Sequence, residues 1–405
     1  MDTNGTFLSE LRTVVHNEIP RLNDAIEKGE DEVGTVVRTF LPWFSMMKET
    51  FAPERLPRAE ARTVIQLIGF VIGSVERHLQ SAHLQAGQGL ALFPGMEDYL
   101  TKLAISAQHP PRDTHYTYWL WNNGEEPLSF TGDPQEIFFN RAVNHTHELH
   151  TLSCDWLRVI CEGQINIVSP EARTIIQNAA NNNMVLHDHF RSFMSRDPVS
   201  GQRAVEPHFF MTRMRTYLPT YQINSTEWTG VNAANLAAQM QLDYLVGTTL
   251  DSYENTVRGR LRYMTSDDRR SLEYDMHLPS LLDLFLQQMS LTRADMDGLT
   301  NDTLETLIAM QSDDFRRNLA AYINLVTACG RLSSMHWALI QNYLVKASTT
   351  LSAEERARLS VDPEKGTGGK THKETEAIMR MRLQHPLVAK LMEAMSDYDR
   401  LPLAV

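Results

Sequence analysis

Residues 315–346 read FRRNLAAYINLVTACGRLSSMHWALIQNYLVK, and this stretch decides the fold class. Its apolar residues recur at spacings of three and four, which is the periodicity of one face of an α-helix rather than of a strand. The stripe consists of Leu319, Ile323, Val326, Gly330, Trp337, Ile340 and Leu344. The stretch therefore predicts the longest amphipathic helix of the chain.

The same periodicity recurs along the chain, and alternating strand patterns are almost absent. It predicts further helices over residues 62–78, 138–159, 235–246 and 276–289. Prolines cluster between these segments, where they mark turns or helix starts because proline lacks an amide hydrogen and clashes inside a helix. No repeat of fixed period is present, which argues against a solenoid. The sequence therefore predicts an all-α protein.

Composition indicates a globular protein and restricts its partners. The 405 residues are 42% hydrophobic and 22% charged, which argues against wholesale disorder. The formal net charge of −12 argues against nucleic-acid binding, because phosphate backbones require a basic surface. The most apolar stretch, residues 63–75, is shorter than the roughly 20 residues of a membrane-spanning helix, so no membrane partner is expected.

The cysteines and the N-terminal residues indicate the compartment. Cys154, Cys161 and Cys329 are odd in number and show no CxxC spacing, which fits a reducing cytosol and excludes a disulfide scaffold. Residues 7–19 are interrupted by charged side chains, so no apolar signal-peptide core lies there. We therefore expect a cytoplasmic protein.

Two polar segments suggest how the chain is organised. Residues 184–207 are predicted to be a loop that connects a smaller N-terminal helical part, residues 1–183, to a larger C-terminal part, residues 184–405. Residues 348–373 carry a run of charges followed by glycines, and a loop of that length in a helical protein is usually functional or disordered. We expect this second segment to be mobile.

His336 is the most informative of the 15 histidines. On a helix it shares a face with Leu325, Leu332, Leu339 and Tyr343, so its ring is predicted to point into an apolar interior. One interpretation is a core histidine satisfied by a single hydrogen bond. The other is an axial haem ligand, because haem iron requires a neutral imidazole nitrogen and an apolar pocket. The helix pattern alone leaves both open.

Two further segments carry candidate binding groups. Residues 206–218 alternate aromatic and guanidinium side chains, and Arg215 is suited to clamp a carboxylate through two parallel bonds, with a solvated surface arginine as the alternative. Residues 365–369, KGTGG, follow no strand and lack the ending of a nucleotide-binding loop. Their glycines permit a ligand to approach closely and Thr367 adds a hydroxyl, while a flexible linker is the alternative.

A group of histidines and one cysteine offers a different metal site. His147, His150 and Cys154 lie at spacings of three and four residues and would share a helix face. Zinc or a haem thioether is one interpretation, although no further ligand group with matching spacing is present elsewhere. Residues 187–189, HDH, lie in the polar segment and are predicted to form a solvated turn.

Taken together, the chain resembles the indoleamine and tryptophan 2,3-dioxygenase superfamily, and within it most closely the monodechloroaminopyrrolnitrin synthase family of pyrrolnitrin biosynthesis. The resemblance covers about residues 19–382. Its N-terminal motifs, most similar to the pyrrolnitrin enzymes, are IPRLN at 19–23, IGFVIGSVERH at 68–78, PPRDT at 110–114, WN at 121–122 and SFTG at 129–132. Its C-terminal motifs, equally similar to the indoleamine dioxygenases, are residues 207–218, His336 followed by Tyr343-Leu344, and KGTGG at 365–369.

The resemblance implies an all-α fold that binds haem b, with His336 as the proximal ligand of the iron. It places Arg215 at the substrate carboxylate and Phe210 against the substrate ring. Thr367 and Gly368 fall in the family's mobile loop, which closes over the amino acid substrate. The ordered set of motifs favours haem ligation over a core histidine at His336.

Several positions depart from the family pattern. The arginine that pairs with a haem propionate, three residues before the proximal histidine, is Ser333 here, and Arg331 is close but out of register. His115 and Tyr118 stand where the indoleamine dioxygenases have a tyrosine and a cysteine in the substrate pocket. The small distal residue near the iron falls on about Ala142. These departures affect the substrate and the reaction outcome rather than haem binding.

The resemblance therefore implies a haem-dependent oxygenase that acts on tryptophan or a related indole amino acid and activates O2 at ferrous haem. A pyrrolnitrin-type ring rearrangement of a tryptophan derivative is the alternative among enzymes. A haem-binding sensor or carrier without turnover is the alternative outside them, and Ser333 motivates it. The implied partners are a small indole substrate and O2, and assembly into a homo-oligomer is left open.

Overall fold

The computed structural model describes residues 3–82, 84, 87–359 and 371–396, and its architecture is all-α, as predicted. Helices make up 73% of the structure, so they alone form its framework. In the described part, the two strands form a small antiparallel hairpin of β1 (Tyr221–Ile223) and β2 (Thr226–Trp228). Tyr221 lies opposite Trp228, and Asn224 and Ser225 form the turn with positive φ.

One helix forms the centre of the N-terminal core. The helices there are α1 (Thr3–Glu27), α2 (Val33–Thr50), α3 (Arg58–Ser81) and α4 (Met96–Ala107). All of residues 64–79 in α3 are buried, because α1, α2 and α4 pack against it. A helix covered on all sides must be apolar around most of its circumference, as α3 is.

The remaining helices include α14, which carries His336, and the helices that pack on it. These helices are α5 (Pro134–Cys161), α6 (Pro170–Met194), α7 (Pro207–Phe209), α8 (Ala237–Val246), α9 (Asp251–Arg260), α10 (Ser266–Asp275), α11 (Leu281–Gln288), α12 (Asp295–Gly298), α13 (Asn301–Ala309), α14 (Asp313–Ile340), α15 (Ala347–Thr350), α16 (Ala353–Ala357), α17 (His372–Leu383) and α18 (Pro386–Ala394). α14 packs along α6 and against α17, while α5 packs against α6 and α8. Short 3₁₀ turns connect several elements, at Pro53–Arg55, Gly89–Leu92, Arg215–Tyr217, Ala233–Asn235 and Leu261–Tyr263.

The three longest of these remaining helices begin at capping residues. The side chains of Asp133, Ser169 and Ser312 each accept a hydrogen bond from a backbone N–H in the first turn of α5, α6 and α14. Such a cap satisfies an amide that has no partner within the helix. Pro134 and Pro170 add the favoured first residue of a helix. The starting points of the helices that position the site are therefore fixed locally.

Four of the five predicted helices are confirmed, and one is partly wrong. Residues 62–78 lie in α3, 138–159 in α5, 315–346 in α14 and the π-helical turn after it, and 235–246 in a 3₁₀ turn and α8. The helix predicted over 276–289 begins only at Leu281. Pro279 precedes it, and Ser280 forms a reciprocal capping box with Asp283.

The polar loop predicted over residues 184–207 is wrong in its first half. α6 continues to Met194, because a buried stripe that includes Ile176, Leu186 and Phe193 extends along it. Asn183 is tolerated in this stripe since its amide donates to the carbonyl of Ala179 at 2.9 Å. Residues 187–189 are consequently helical rather than a turn. The predicted division at residues 183 and 184 falls within α6, and the two-part organisation stays a prediction.

The second predicted loop, residues 348–373, contains short helices at its start. α15 and α16 occupy residues up to Ala357, and α17 begins at His372. Residues 360–370 lie outside the described part of the chain. The mobility predicted for this loop therefore stays a prediction. None of the described helices is both long and apolar enough to cross a membrane.

Candidate functional site

His336 lies on α14 with its imidazole half-buried. Its ring meets Phe190 of α6 in an edge-on arrangement with the ring centroids 5.6 Å apart. Burial, together with the positive charge of Arg382, lowers the pKa of His336 to about 4. The ring is therefore neutral at physiological pH, which is the form that binds a metal ion through its nitrogen lone pair.

Three short π-helical segments mark this part of the molecule. They are Tyr116–Leu120, Phe210–Met214 and Gln341–Lys346, of which the last continues directly from α14. π-Helical turns are rare and are frequently found at functional sites. Two of them carry residues predicted at the substrate, and the third follows the helix of His336.

A series of aromatic contacts joins the three π-helical segments. The ring of Trp119 contacts that of Phe139 on α5, with centroids 6.1 Å apart, and Phe139 contacts Phe210 at 5.4 Å. Phe210 in turn meets Tyr343 edge-on at 5.8 Å. The hydroxyl of Tyr343 lies 2.7 Å from each of two backbone carbonyl oxygens at and beyond the end of α6, which fixes its ring. Phe210 and the segment after His336 therefore belong to one packed aromatic group.

Tyr118 is held in place by a buried carboxylate. Its hydroxyl donates to Glu136 at 2.7 Å, and Glu136 also accepts bonds from the Ser129 hydroxyl and from backbone N–H groups of Phe130 and Thr131 at 2.8–3.0 Å. Burial and the Glu136 charge raise the pKa of Tyr118 well above its ordinary value. The Tyr118 hydroxyl is thus bound within the protein, and its ring contacts that of Trp119 with the centroids 5.4 Å apart.

His115 is buried and electrically neutral. Burial, and then the nearby His109 and His147, lower its pKa well below the ordinary value. Neither of its ring nitrogens has a hydrogen-bond partner among the described residues, and neither does the indole nitrogen of Trp119. Buried polar atoms are rarely left without partners unless a ligand or water supplies one. Both ring nitrogens of His115 are therefore available to a bound molecule, and its role at the substrate stays a prediction.

One face of α5 presents Ala142, Thr146 and His150, which are spaced four residues apart and buried. The hydroxyl of Thr146 donates to the carbonyl of Ala142 at 2.9 Å, so it is satisfied within the helix. The pKa of His150 is lowered to about 3, mainly by burial and further by Arg382, His147 and His336. The electrostatic effect of His336 on His150 indicates that this face of α5 lies close to the candidate iron ligand.

Arg382 is a buried cation that the sequence analysis did not identify. On α17, it donates to both carboxylate oxygens of Asp243 on α8, at 2.8 and 2.7 Å. Asp243 also accepts a bond from the Tyr253 hydroxyl at 2.7 Å. The two partners of the ion pair are far apart in the sequence and belong to no local motif, so no signal in the sequence pointed to the pair.

Arg215 is buried, with 1% of its surface exposed, immediately after the π-helical turn that carries Phe210. One of its terminal nitrogens lies 3.6 Å from the sulfur of Met211. Two residues later, Tyr217 stacks on Phe130 with centroids 4.9 Å apart. A buried guanidinium is suited to an anionic partner, because charge-assisted bonds are stronger where water is excluded. The solvated-surface alternative for Arg215 is therefore wrong.

Arg331 lies apart from the face of α14 that carries His336. It is exposed and lines a cavity of about 370 Å³ together with residues such as Val326, Ser334 and His385. Five residues along a helix correspond to a rotation of about 140°. The predicted role of Arg331 toward a haem stays a prediction, and its position does not support it.

The remaining candidates separate into two groups. Thr367 and Gly368, with the rest of residues 365–369, lie outside the described residues.

Within the described ranges, no three His, Cys, Asp or Glu side chains are grouped so that they could hold a metal ion. Cys154 instead donates its S–H to the carbonyl of Ala238 at 3.2 Å. The structure therefore does not support a zinc site at His147, His150 and Cys154.

The residues present fit a haem better than a metal ion held by several protein ligands. His336 offers a single neutral imidazole, and the aromatic group around Phe210 supplies apolar surface. The buried ring nitrogens of His115 and His150 lack partners among the described residues, as expected beside a polar ligand. One axial imidazole in an apolar pocket is the arrangement that haem iron requires.

Comparison with known proteins identifies one matching family. The family model described as monodechloroaminopyrrolnitrin synthase PrnB matches residues 57–298, which is more than half of the chain. The matched region contains His115, Tyr118, Ala142, Phe210 and Arg215, and it ends before α14. No curated protein matches the chain.

Proposed function

The chain belongs to the monodechloroaminopyrrolnitrin synthase PrnB family, and from this we propose that it uses haem b and O2 to transform tryptophan or a related indole amino acid. The family consists of haem-dependent enzymes that act on a tryptophan derivative. The observation that supports the proposal most directly is the neutral His336 beside the face of α5 that carries Ala142 and His150.

In this proposal each side chain has a separate task. His336 holds the iron, and the haem supplies the oxidative chemistry that side chains lack. Phe210 and Trp119 pack against the substrate ring and exclude water, while Tyr118 shapes the pocket wall. Arg215 binds the substrate carboxylate. Such positioning lowers the barrier because the reacting groups are already oriented.

Three further residues complete the proposed site. His115 offers a neutral ring nitrogen to a polar group of the substrate. Thr367 and Gly368 hold the ammonium or carboxylate end of the substrate when their loop closes. Ala142 is small and buried on α5, and next to a bound haem it would leave room for O2.

Two reaction outcomes remain distinct candidates. The first is dioxygenation of the indole ring, in which both oxygen atoms enter the product. The second is the ring rearrangement of the pyrrolnitrin type, and the family match over residues 57–298 favours it. The same haem, substrate clamp and aromatic pocket serve both reactions, so the product distinguishes them.

The test is spectroscopy and product analysis of the haem-reconstituted protein. A Soret band that shifts on addition of L-tryptophan or a ring-substituted tryptophan supports the proposal. With ¹⁸O2, a product that carries both labelled atoms indicates dioxygenation, and a product without them indicates rearrangement. His336→Ala should abolish the Soret band of the histidine-ligated haem. His187→Ala, on α6 and beside the cavity that Arg331 lines, should not. Stoichiometric haem with an unchanged spectrum in His336→Ala would contradict the assignment.

A further inference from the structure

His150 is a buried histidine without hydrogen bonds. It is 1% exposed, and neither ring nitrogen has a partner among the described residues. A neutral imidazole carries one N–H donor and one acceptor, and burial of both without partners is unfavourable. On α5 near His150, the Thr146 hydroxyl donates to the carbonyl of Ala142, and the Ser153 hydroxyl donates to the carbonyl of Leu149. Asn140, His147 and Thr151 of the same helix also have buried polar atoms without a partner among the described residues, and both ring nitrogens of His150 are in this condition.

The surroundings of His150 indicate what kind of group would satisfy it. Of the groups that lower the pKa of His150, Arg382 is the one that carries charge at neutral pH, because burial lowers the pKa of His147 and of His336. Arg382 is already bound to both oxygens of Asp243, so it contributes positive charge rather than an acceptor. A donor N–H in this positive environment is suited to a carboxylate.

With Ala142 next to the iron, as the resemblance implies, His150 would lie toward the edge of the haem rather than over the iron. It follows Ala142, the predicted distal residue, by eight residues on the same face, which corresponds to about 12 Å along the helix axis. The only polar groups on the rim of haem b are its two carboxylates. At Ser333, the position where the resembling family supplies an arginine for a haem carboxylate, the side chain is buried and uncharged.

We propose that His150 donates a hydrogen bond to a carboxylate of the haem that His336 ligates, and that Arg382 supports this contact with its charge. The inference rests on the proposed function, because it requires haem at His336. In this proposal His150 takes over part of the binding of a haem carboxylate, for which Ser333 has no positive charge.

Haem release from the loaded protein tests the inference. His150→Leu preserves much of the volume and removes both nitrogens, and His150→Gln retains a donor. We expect haem transfer to excess apomyoglobin to become about tenfold faster in His150→Leu, equivalent to about 1.4 kcal/mol. It should change little in His150→Gln. The control is His145→Leu, because His145 lies on the same helix but is half-buried. Its ring contacts that of His189, with the centroids 5.6 Å apart. The rate of haem release from this variant should equal that of the wild type.

Thermal unfolding provides a second readout that a purely structural role would not reproduce. In the haem-free protein, His150→Leu should keep or raise the Tm, because it removes an unsatisfied buried group. In the loaded protein it should lower the Tm relative to the wild type. A decrease of equal size in both forms would overturn the proposal and leave His150 a packing residue.

Two further outcomes separate this inference from the proposed function. If His336→Ala loses the Soret band while His150→Leu releases haem at the wild-type rate, only the contact of His150 is refuted. If His336→Ala keeps its spectrum, the proposed function itself fails. A wild-type ferrous spectrum of six-coordinate, low-spin haem that becomes five-coordinate in His150→Leu would place His150 on the iron and overturn the carboxylate contact.

Discussion

Side chains in the candidate site differ in how many of their polar atoms have a hydrogen-bond partner within the protein. Glu136 accepts hydrogen bonds from three hydroxyls and two backbone amides, and it is fully buried. His115 and His150 have no hydrogen-bond partner among the described residues. A saturated carboxylate fixes the geometry of its neighbours, and an unsatisfied ring is available to a ligand. In the proposed site, Tyr118, whose hydroxyl is bound to Glu136, would therefore contribute only its ring.

The Arg215 clamp makes a kinetic prediction. Arg215→Gln should lower kcat/KM for L-tryptophan about 10- to 100-fold, because loss of a hydrogen bond to a charged group costs about 1.5–3 kcal/mol. Steady-state kinetics measure the effect. The matched substrate is an indole without a carboxylate, whose kcat/KM should hardly change. Equal losses for both substrates would show that Arg215 acts through packing, as its burial also permits.

At this scale, the sequence predicted residues that belong to a motif and missed those that do not. His336 and Phe210 were placed by the resemblance of short segments. Arg382 was not, because its partner Asp243 is distant in the sequence and an ion pair formed by folding leaves no local pattern. His150 was noted for its spacing from Cys154, whereas its unsatisfied burial is what distinguishes it in the structure.

At the scale of elements, α3 admits two loops at unusually close range. A Cβ atom at Gly69 would lie 2.6 Å from the Cβ of Asp113, and one at Gly73 would lie 2.9 Å from the ring of Phe130. Asp113 is held in turn by the Arg112 guanidinium, with both bonds at 3.0 Å. The glycines of the motif at residues 68–78 therefore permit two loops to pack on α3. These loops carry the motifs at residues 110–114 and 129–132.

This close approach predicts opposite effects of one substitution on two helices. Gly69→Ala should lower the free energy of unfolding by about 1–3 kcal/mol, because the added methyl group overlaps a Cβ fixed to the backbone. Gly259→Ala on α9 meets only open space and should raise it by up to about 1 kcal/mol through helix propensity. Urea unfolding compares the two variants. If Gly69→Ala were as stable as Gly259→Ala, the close packing would be wrong.

Periodicity predicted the long helices but not their irregularities. α14 was predicted because its apolar spacing persists over many turns. The end of α6 was missed since Asn183 and small alanines occupy buried positions that a hydrophobic pattern does not count. The π-helical turns were not predicted. Apolar spacing in an α-helix already alternates between three and four residues, so one extra residue in a turn does not change the pattern recognisably.

At the scale of the whole molecule, the site draws on two large hydrophobic cores. One core contains α3 and Trp119, and the other contains α6 and α14. A smaller cluster that includes Ala142, Phe209 and Tyr343 is distinct from both and contacts Phe210. The chain order of these elements follows from the sequence, but their meeting point depends on tertiary packing, which helix patterns do not encode.

Buried neutral histidines predict a pH dependence of the haem-free protein. Burial, and then the charge of Arg77, lower the pKa of His78 to about 3, while the unfolded chain has a histidine pKa near 6.5. The unfolded state therefore binds protons first as pH falls. The stabilising contribution is complete above about pH 6.5 and is lost as pH falls toward 3.

Urea unfolding at pH 7 and pH 5 measures this contribution. For one histidine of this kind, the free energy of unfolding should decrease by about 2 kcal/mol between the two values. His78→Gln retains a partner for Asn23, which lies 2.9 Å from the His78 ring nitrogen. Between pH 7 and pH 5, the free energy of unfolding of this variant should therefore decrease by about 2 kcal/mol less than that of the wild type. The same pH dependence in both proteins would exclude His78 as a source.

The π-helical turn Gln341–Lys346 has a consequence for how relatives of this chain diverge. A turn with i to i+5 hydrogen bonds contains one residue more than an α-helical turn. Loss of a single codon there would restore α-helical geometry and rotate the following residues by about 100° relative to those before. Tyr343 would then leave Phe210 without any change in its own identity. A deletion of one residue at this turn would thus redirect the ring of Tyr343 as effectively as a substitution.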